Sequence, residues 1–191
     1  MDVLTAIHSR RAVRDYGDEA LAPDEIAGLL DAAIWAPSGM NLQPWSFVVV
    51  DAPRRLADWS AEAKALMRDS AAEHPELAGL RGMLASPAFN IFYNAPALIV
   101  VCATTPDEMA LKDCCLAAGN LMLAATAMGL GTCWIGLAEA WLNSVEGKAA
   151  LGVPATYRAV APIIVGRPKD APETTARRDP EVRRIGAGGR S

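Results

Sequence analysis

LKDCCLAAGNLMLAATAMGLGTCWIG, residues 111–136, decides how the rest of the chain is arranged. Between Leu111 and Met128 the stretch is apolar nearly all round, broken by Lys112, Asp113, Asn120 and Thr126. A helix of that kind has to be covered on every side. The chain has 191 residues, enough for one domain with a proper core. Residues 107–128 are therefore expected to form a central helix, packed between a sheet and a partner subunit. Gly129 and Gly131 end it, and residues 132–135 follow as a strand.

Short apolar or β-branched runs give three more buried strands, at residues 46–50, 97–102 and 158–165. Residues 2–11 read as a short helix with Asp2 as N-cap and Val3, Leu4 and Ile7 on one face. Pro23 opens a second helix, with Asp24 and Glu25 in its first turn, where acids suit the dipole. Its stripe is Ile26, Leu29, Leu30 and Ala33, and Pro37 stops it. Residues 53–69 form an amphipathic helix with Leu56, Trp59, Ala63, Leu66 and Met67 near one side. Residues 138–151 form another, with Trp141, Leu142 and Val145 inward. Residues 70–94, with His74-Pro75, Gly79, Gly82 and Ser86-Pro87, read as short helical pieces and loops. Strands alternate with helices, but the connections are uneven and the first two elements are both helical. That favours a three-layer α/β or α+β sandwich over a doubly wound fold. No internal repeat or second domain is visible. After Gly166 the composition shifts to arginine and proline, as in a tail laid over another surface or left disordered.

Composition removes several classes of function. Hydrophobic residues make up 52% and charged ones 21%, which is globular and rich enough in apolar side chains to suggest a hidden subunit interface. A net charge of −4 argues against nucleic acid as the main partner. No apolar signal core or membrane-spanning run is present, so a cytoplasmic protein is expected. Cys102, Cys114, Cys115 and Cys133 all sit in apolar company without a CxxC, as buried free thiols do. With His8 and His74 as the only histidines, no zinc ligand set can be assembled at a recognisable spacing, and with no nucleophile motif near either of them a Ser–His–Asp hydrolase is a poor reading. No GxGxxG follows a strand and there is no P-loop.

Three motifs remain. In SRRAVRDY, residues 9–16, Arg10 and Arg14 are four apart with Arg11 beside them. Guanidinium groups this close repel unless an anion sits between them, and Arg suits bidentate phosphate contact. The alternative is a solvated basic helix end. In APSGMNLQPWSFVVV, residues 36–50, Ser38, Asn41 and Gln43 could read the polar edges of a flat heterocycle, while Gly39 lets it approach the backbone. The alternative is a loop whose Ser and Asn bond their own backbone. In GLGTCWIG, residues 129–136, a ligand could lie flat on a glycine-flanked strand, or the glycines could simply make a tight turn.

Taken together with YNAPALIVV, IIVGRP and the late Arg178-Asp179-Pro180, in this order, these pieces resemble the FMN-dependent nitroreductase family. The resemblance implies an α+β, three-layer α/β/α sandwich with a mixed central sheet. It implies one domain over residues 1–191, an intertwined homodimer, FMN at the interface, and residues 168–191 as a tail on the partner subunit. Arg10, Arg11 and Arg14 match the phosphate and ribityl cluster, with Ala12 where many members have Ser. Pro37, Ser38 and Gly39 match the loop that reaches the flavin, typically from the other subunit. Asn41 and Gln43 match its polar positions, though Gln43 and Trp45 could serve the fold instead. Trp134, Ile135 and Gly136 match the strand that backs the ring. Arg178 matches the tail arginine that closes on the phosphate, with Arg177 as the neighbouring alternative. Gly136-Leu137 stands where some members have Glu-Gly, so no acid is offered there.

The implied activity is an NADH- or NADPH-dependent reduction of nitroaromatic, quinone or similar acceptors, by ping-pong hydride transfer through flavin N5. No catalytic side chain and no metal is nominated. The alternatives are other FMN chemistry on the same scaffold (an oxidase, a dehalogenase or a flavin-degrading enzyme) or a non-catalytic flavin-binding protein.

Overall fold

The computed structural model of the protein describes residues 1–70, 79–173 and 175–186. The Asp2 carboxylate accepts from the Leu4 and Thr5 N–H groups, both at 3.1 Å, and starts α1 (Val3–Ser9). Pro23 occupies the first turn of α2 (Pro23–Ile34), and the Glu25 carboxylate reaches back to the Ala22 N–H at 2.8 Å. There follow β1 (Trp45–Val50), α3 (Pro53–Ser70), α4 (Arg81–Ala85), β2 (Ala97–Ala103) and α5 (Glu108–Ala127). The chain then forms β3 (Gly131–Trp134), α6 (Glu139–Leu142), α7 (Val145–Leu151) and β4 (Arg158–Gly166).

The strands form one sheet in the order β1-β2-β4-β3, and every neighbouring pair is antiparallel. The mixed character expected from the resemblance is confined, among the described residues, to a single parallel bridge between Ala12 and Thr132. Strand β2 is buried throughout, so its alternate side chains feed opposite cores. Ala97, Ile99, Val101 and Ala103 pack with Leu29, Ala33 and Leu121 under α2 and α5. Leu98, Val100 and Cys102 pack with Leu56, Trp59, Trp141 and Leu142 under α3 and α6. Helices on both faces give the three layers of the α+β sandwich.

Each polar interruption of α5 has its own partner. Asp113, buried, accepts from the Gly39 N–H. Asn120 donates to the Ala32 carbonyl at 3.2 Å, and Thr126 to Met122 at 3.0 Å. Lys112 stays in water, 3.4 Å from Glu108. Within one chain, however, α5 is not covered all round. Met109, Lys112, Cys115 and Leu116 form an exposed stripe.

The structure corrects several expectations. Strand β1 starts at Trp45 and is half-buried rather than buried, because it is a sheet edge. Helix α1 ends at Ser9, short of the expected residue 11; the face of Val3, Leu4 and Ile7 is exposed, and only Ala6 of α1 is buried. Cys115 is exposed, while Cys102, Cys114 and Cys133 are buried free thiols. The expected helix over residues 138–151 is two helices. Asn143 bonds the Ala159 N–H and carbonyl at 3.0 and 2.9 Å, and Ser144 caps α7 through the Gly147 N–H at 3.0 Å. Val145 is thereby turned out, 81% exposed. A Cβ at Gly147 would lie 2.0 Å from the Trp141 carbonyl oxygen, so only glycine closes this turn. The residues between α3 and α4 that include His74-Pro75 lie outside the described residues.

Trp59 and Trp141 meet with centroids 5.2 Å apart and lock α3 onto α6. Trp141→Ala should therefore cost about 3–5 kcal/mol, measured by urea unfolding.

Candidate functional site

Helix α1 stops at Ser9, so Arg10 and Arg14 are not stacked on a continuing helix. Instead the chain runs extended along the edge of β3. The Val13 N–H donates to the Thr132 carbonyl at 2.9 Å. A Cβ at Gly131 would lie 2.7 Å from Val13 Cγ2, so the glycine makes room for this approach. Tyr16 is buried and its hydroxyl donates to the Val13 carbonyl at 2.7 Å. Burial holds that phenol well above its ordinary range, so it remains a neutral donor. Val13 and Tyr16 thus pin the segment, and Arg10, Arg11, Ala12 and Arg14 are left on a cavity of about 460 Å³.

The tail closes the other side of this cavity. Arg167 pairs with Glu19 at 2.7 Å and Glu25 at 3.0 Å, and Lys169 pairs with Asp15 at 2.9 Å. The following residues bring Asp170, Glu173 and Arg177 to the lining, while Arg178 lies outside it. Arg11 is partly committed, since its Nη1 donates to the His8 and Arg10 carbonyls at 2.6 and 2.8 Å at the end of α1. Its Nε is buried with no partner. Among the described residues, no carboxylate is within ion-pair distance of Arg10, Arg11 or Arg14. The positive charges of Arg14 and Arg10 pull the Cys133 thiol down, but its burial outweighs them and the pKa is raised.

The strand expected to back a ring lies beside this segment. Trp134 donates its indole N–H to Glu139 at 2.8 Å, and the buried Ile135 donates to the Pro162 carbonyl at 2.8 Å. Gly136 is exposed at the strand's end. Glu139 was missed from sequence because it fell inside an expected helix; it places an acid two residues beyond the Gly136-Leu137 pair.

The loop before β1 bonds to itself in this chain. Ser38 Oγ accepts from the Gln43 N–H at 3.0 Å, and the Gln43 amide donates to Asn41 Oδ1 at 3.3 Å. Met40, Asn41 and Gln43 all have positive φ, at 52°, 56° and 49°. Gly39 N–H donates to both Asp113 oxygens, at 3.3 and 3.1 Å. Pro37, Asn41 and Gln43 stay exposed, beside the exposed Trp35, Met40 and Leu42. Asp113 was also missed as a site residue; an acid inside an otherwise apolar helix was the available signal.

The loop does not join the arginines in one chain. Gly39 sits at Asp113, near the start of α5, whereas Arg10 and Arg11 share a cavity with Thr126 and Gly129 at its end. Thirteen residues of helix separate these points, about 20 Å.

The nitroreductase family model matches residues 7–167. The chain belongs to the nitroreductase family. It is 31% identical over 174 residues to a protein of Archaeoglobus fulgidus with the provisional name NADH dehydrogenase/NAD(P)H nitroreductase, covering 88% of this chain and 87% of that one. It is 32% identical over 199 residues to 5,6-dimethylbenzimidazole synthase of Rhodospirillum rubrum, covering 93% and 84%. Among solved structures, a nitroreductase with bound FMN from Desulfitobacterium hafniense matches with a TM-score of 0.82 and 26% identity, covering 97% of this chain and all of that one.

Asp113→Ala removes the acceptor for Gly39 and should cost about 1–3 kcal/mol. Faster hydrogen exchange at the amides of Gly39, Asn41 and Gln43, with little change elsewhere, is the expected readout.

Proposed function

We propose that this nitroreductase is an FMN-dependent NAD(P)H oxidoreductase acting on nitroaromatic, quinone or similar acceptors. The observation that carries the proposal is the cavity beside β3. Arg10, Arg11 and Arg14 line it and, among the described residues, none of them is ion-paired, although Asp15, Asp170 and Glu173 share the lining; the Arg11 Nε is buried and unpartnered. That donor set fits a phosphate monoester. FMN, when bound, would supply hydride chemistry at its ring. Arg10, Arg11 and Arg14 would hold the phosphate and ribityl end, over the small Ala12. Of the two tail arginines we assign Arg177 rather than Arg178, since it lines the cavity. Trp134, Ile135 and Gly136 would back the ring. No side chain is assigned as a proton donor.

A homodimer completes the site. Pro37, Ser38, Gly39, Asn41 and Gln43 would come from the second copy, because one chain holds them too far from its own arginines. The exposed apolar side chains Trp35, Met40, Leu42, Met109 and Leu116 suit that role. No helix among the described residues is long and apolar enough to cross a membrane. We place the protein in the cytoplasm, in keeping with its free thiols. A second reading, other chemistry at the same site, is favoured by the likeness to the Rhodospirillum rubrum protein named as 5,6-dimethylbenzimidazole synthase.

The purified protein should be yellow, be bleached anaerobically by NADH or NADPH, and regain colour on adding a nitroaromatic or a quinone. A colourless protein that takes up no added FMN would overturn the proposal; a yellow one that neither nucleotide bleaches would leave the second reading. Arg10→Ala with Arg14→Ala should weaken FMN binding at least about 100-fold, from two lost charge-assisted contacts. Leu116→Glu puts a charge on the uncovered stripe of α5, and light scattering should then report a monomer.

A further inference from the structure

The chain between α4 and β2 is held in an unusual conformation. Tyr93 and Asn94 both have φ of 53°. Left-handed backbone is uncommon outside glycine and tolerated by asparagine, but an outlier for a bulky side chain. Such strain persists only where the surroundings over-determine it.

They do so here. Lys64 on α3 is only 7% exposed, and its ammonium donates to the Ser86 carbonyl at 2.9 Å and to the Phe89 carbonyl. Ser60, one turn earlier and also buried, accepts from the Ile91 N–H at 3.0 Å. Asn90 accepts from the Phe92 N–H and donates to the Asn94 side chain, both at 2.9 Å. Two buried polar groups of α3 are thus committed to one short turn, where polar burial is tolerated only because each is bonded.

The product of this arrangement is the placement of one ring. Tyr93 stands edge-on to Phe89, with centroids 5.7 Å apart and planes at 81°. The Arg14 guanidinium carbon lies 5.9 Å from the same ring's centroid, within reach of a cation–π contact. Arg14 is exposed and, among the described residues, has no carboxylate partner. Beside its contact with the Cys133 thiol, the ring narrows the rotamers open to Arg14, so less ordering is left for a phosphate to impose.

We propose that Tyr93 is a positioning residue that pre-sets Arg14 at the basic cavity, and so sets the preference for a phosphorylated flavin over its dephosphorylated form. The inference rests on the FMN reading above. It assigns to the turn over residues 86–94 a role at the anionic end of the ligand, through Arg14 and with no contact to the ligand itself.

The test is titration of the flavin-free dimer with FMN and, separately, with riboflavin. Tyr93→Asn removes the ring but suits the left-handed backbone, and Tyr93→Leu serves as a second ring-free variant. Both should weaken FMN about three- to tenfold and leave riboflavin unchanged, so the FMN/riboflavin ratio falls. Tyr93→Phe keeps the ring and should restore the ratio. In an Arg14→Ala background, losing the ring should have no further effect on FMN. Equal losses for both flavins, or an undiminished FMN loss in the Arg14→Ala background, would overturn the inference by making Tyr93 merely structural. A wild-type protein that binds neither flavin overturns the FMN reading itself. One that binds FMN through Arg14, with an unchanged ratio in the ring-free variants, overturns this inference alone.

Discussion

Everything in this molecule is arranged around the need to cover α5. The helix is almost entirely apolar, and most of its buried side chains, among them Cys114, Ala117, Ala118 and Ala125, are small enough to let sheet and α2 approach closely. The polar groups it does carry act as fasteners. Asp113 ties down the loop before β1, and Asn120 ties down α2. Because the helix also leads directly into β3, its C-terminal turn determines where the basic segment can lie. The candidate site is therefore tied to both cores: the turn after α5 places β3, and Val13 and Tyr16 plug the basic segment into the core on the α3 and α6 face of the sheet.

The same dependence explains the chemistry of the thiols. Burial pushes Cys102 up to about 11, and burial with neighbouring Cys102 pushes Cys114 up to about 12. They are fully protonated at neutral pH and behave as small apolar side chains. Positive charge from Arg14 and Arg10 opposes the same shift at Cys133, yet burial prevails there too. Cys133 and the arginines proposed to bind phosphate thus coexist at one sheet edge without forming a nucleophile.

Much of the fold was legible because its signals are local. The N-cap at Asp2, Pro23 at the head of α2, the β-branched runs and the long apolar helix all have short-range causes. What sequence did not disclose was set by contacts distant in the chain. The break between α6 and α7 depends on Asn143 reaching Ala159, and nothing in the apolar spacing of Trp141, Leu142 and Val145 announces it. The burial of β1 was overestimated because periodicity cannot tell an edge strand from a central one. At the site, the arginines and the glycine-flanked strand were visible as motifs. Their partners Asp113, Glu139 and Tyr93 were not, since each acts across a fold that the motifs alone do not define.

Strand β1 carries a consequence of a different kind. It is an edge strand of sequence WSFVVV, rich in β-branched side chains and without charge, proline or glycine. A flank of that composition is a template on which another extended chain can add itself. In the dimer proposed above, a newly made chain would present it together with the uncovered stripe of α5 until both are shielded. The yield of soluble protein should then fall with any change that prolongs the interval between synthesis and pairing.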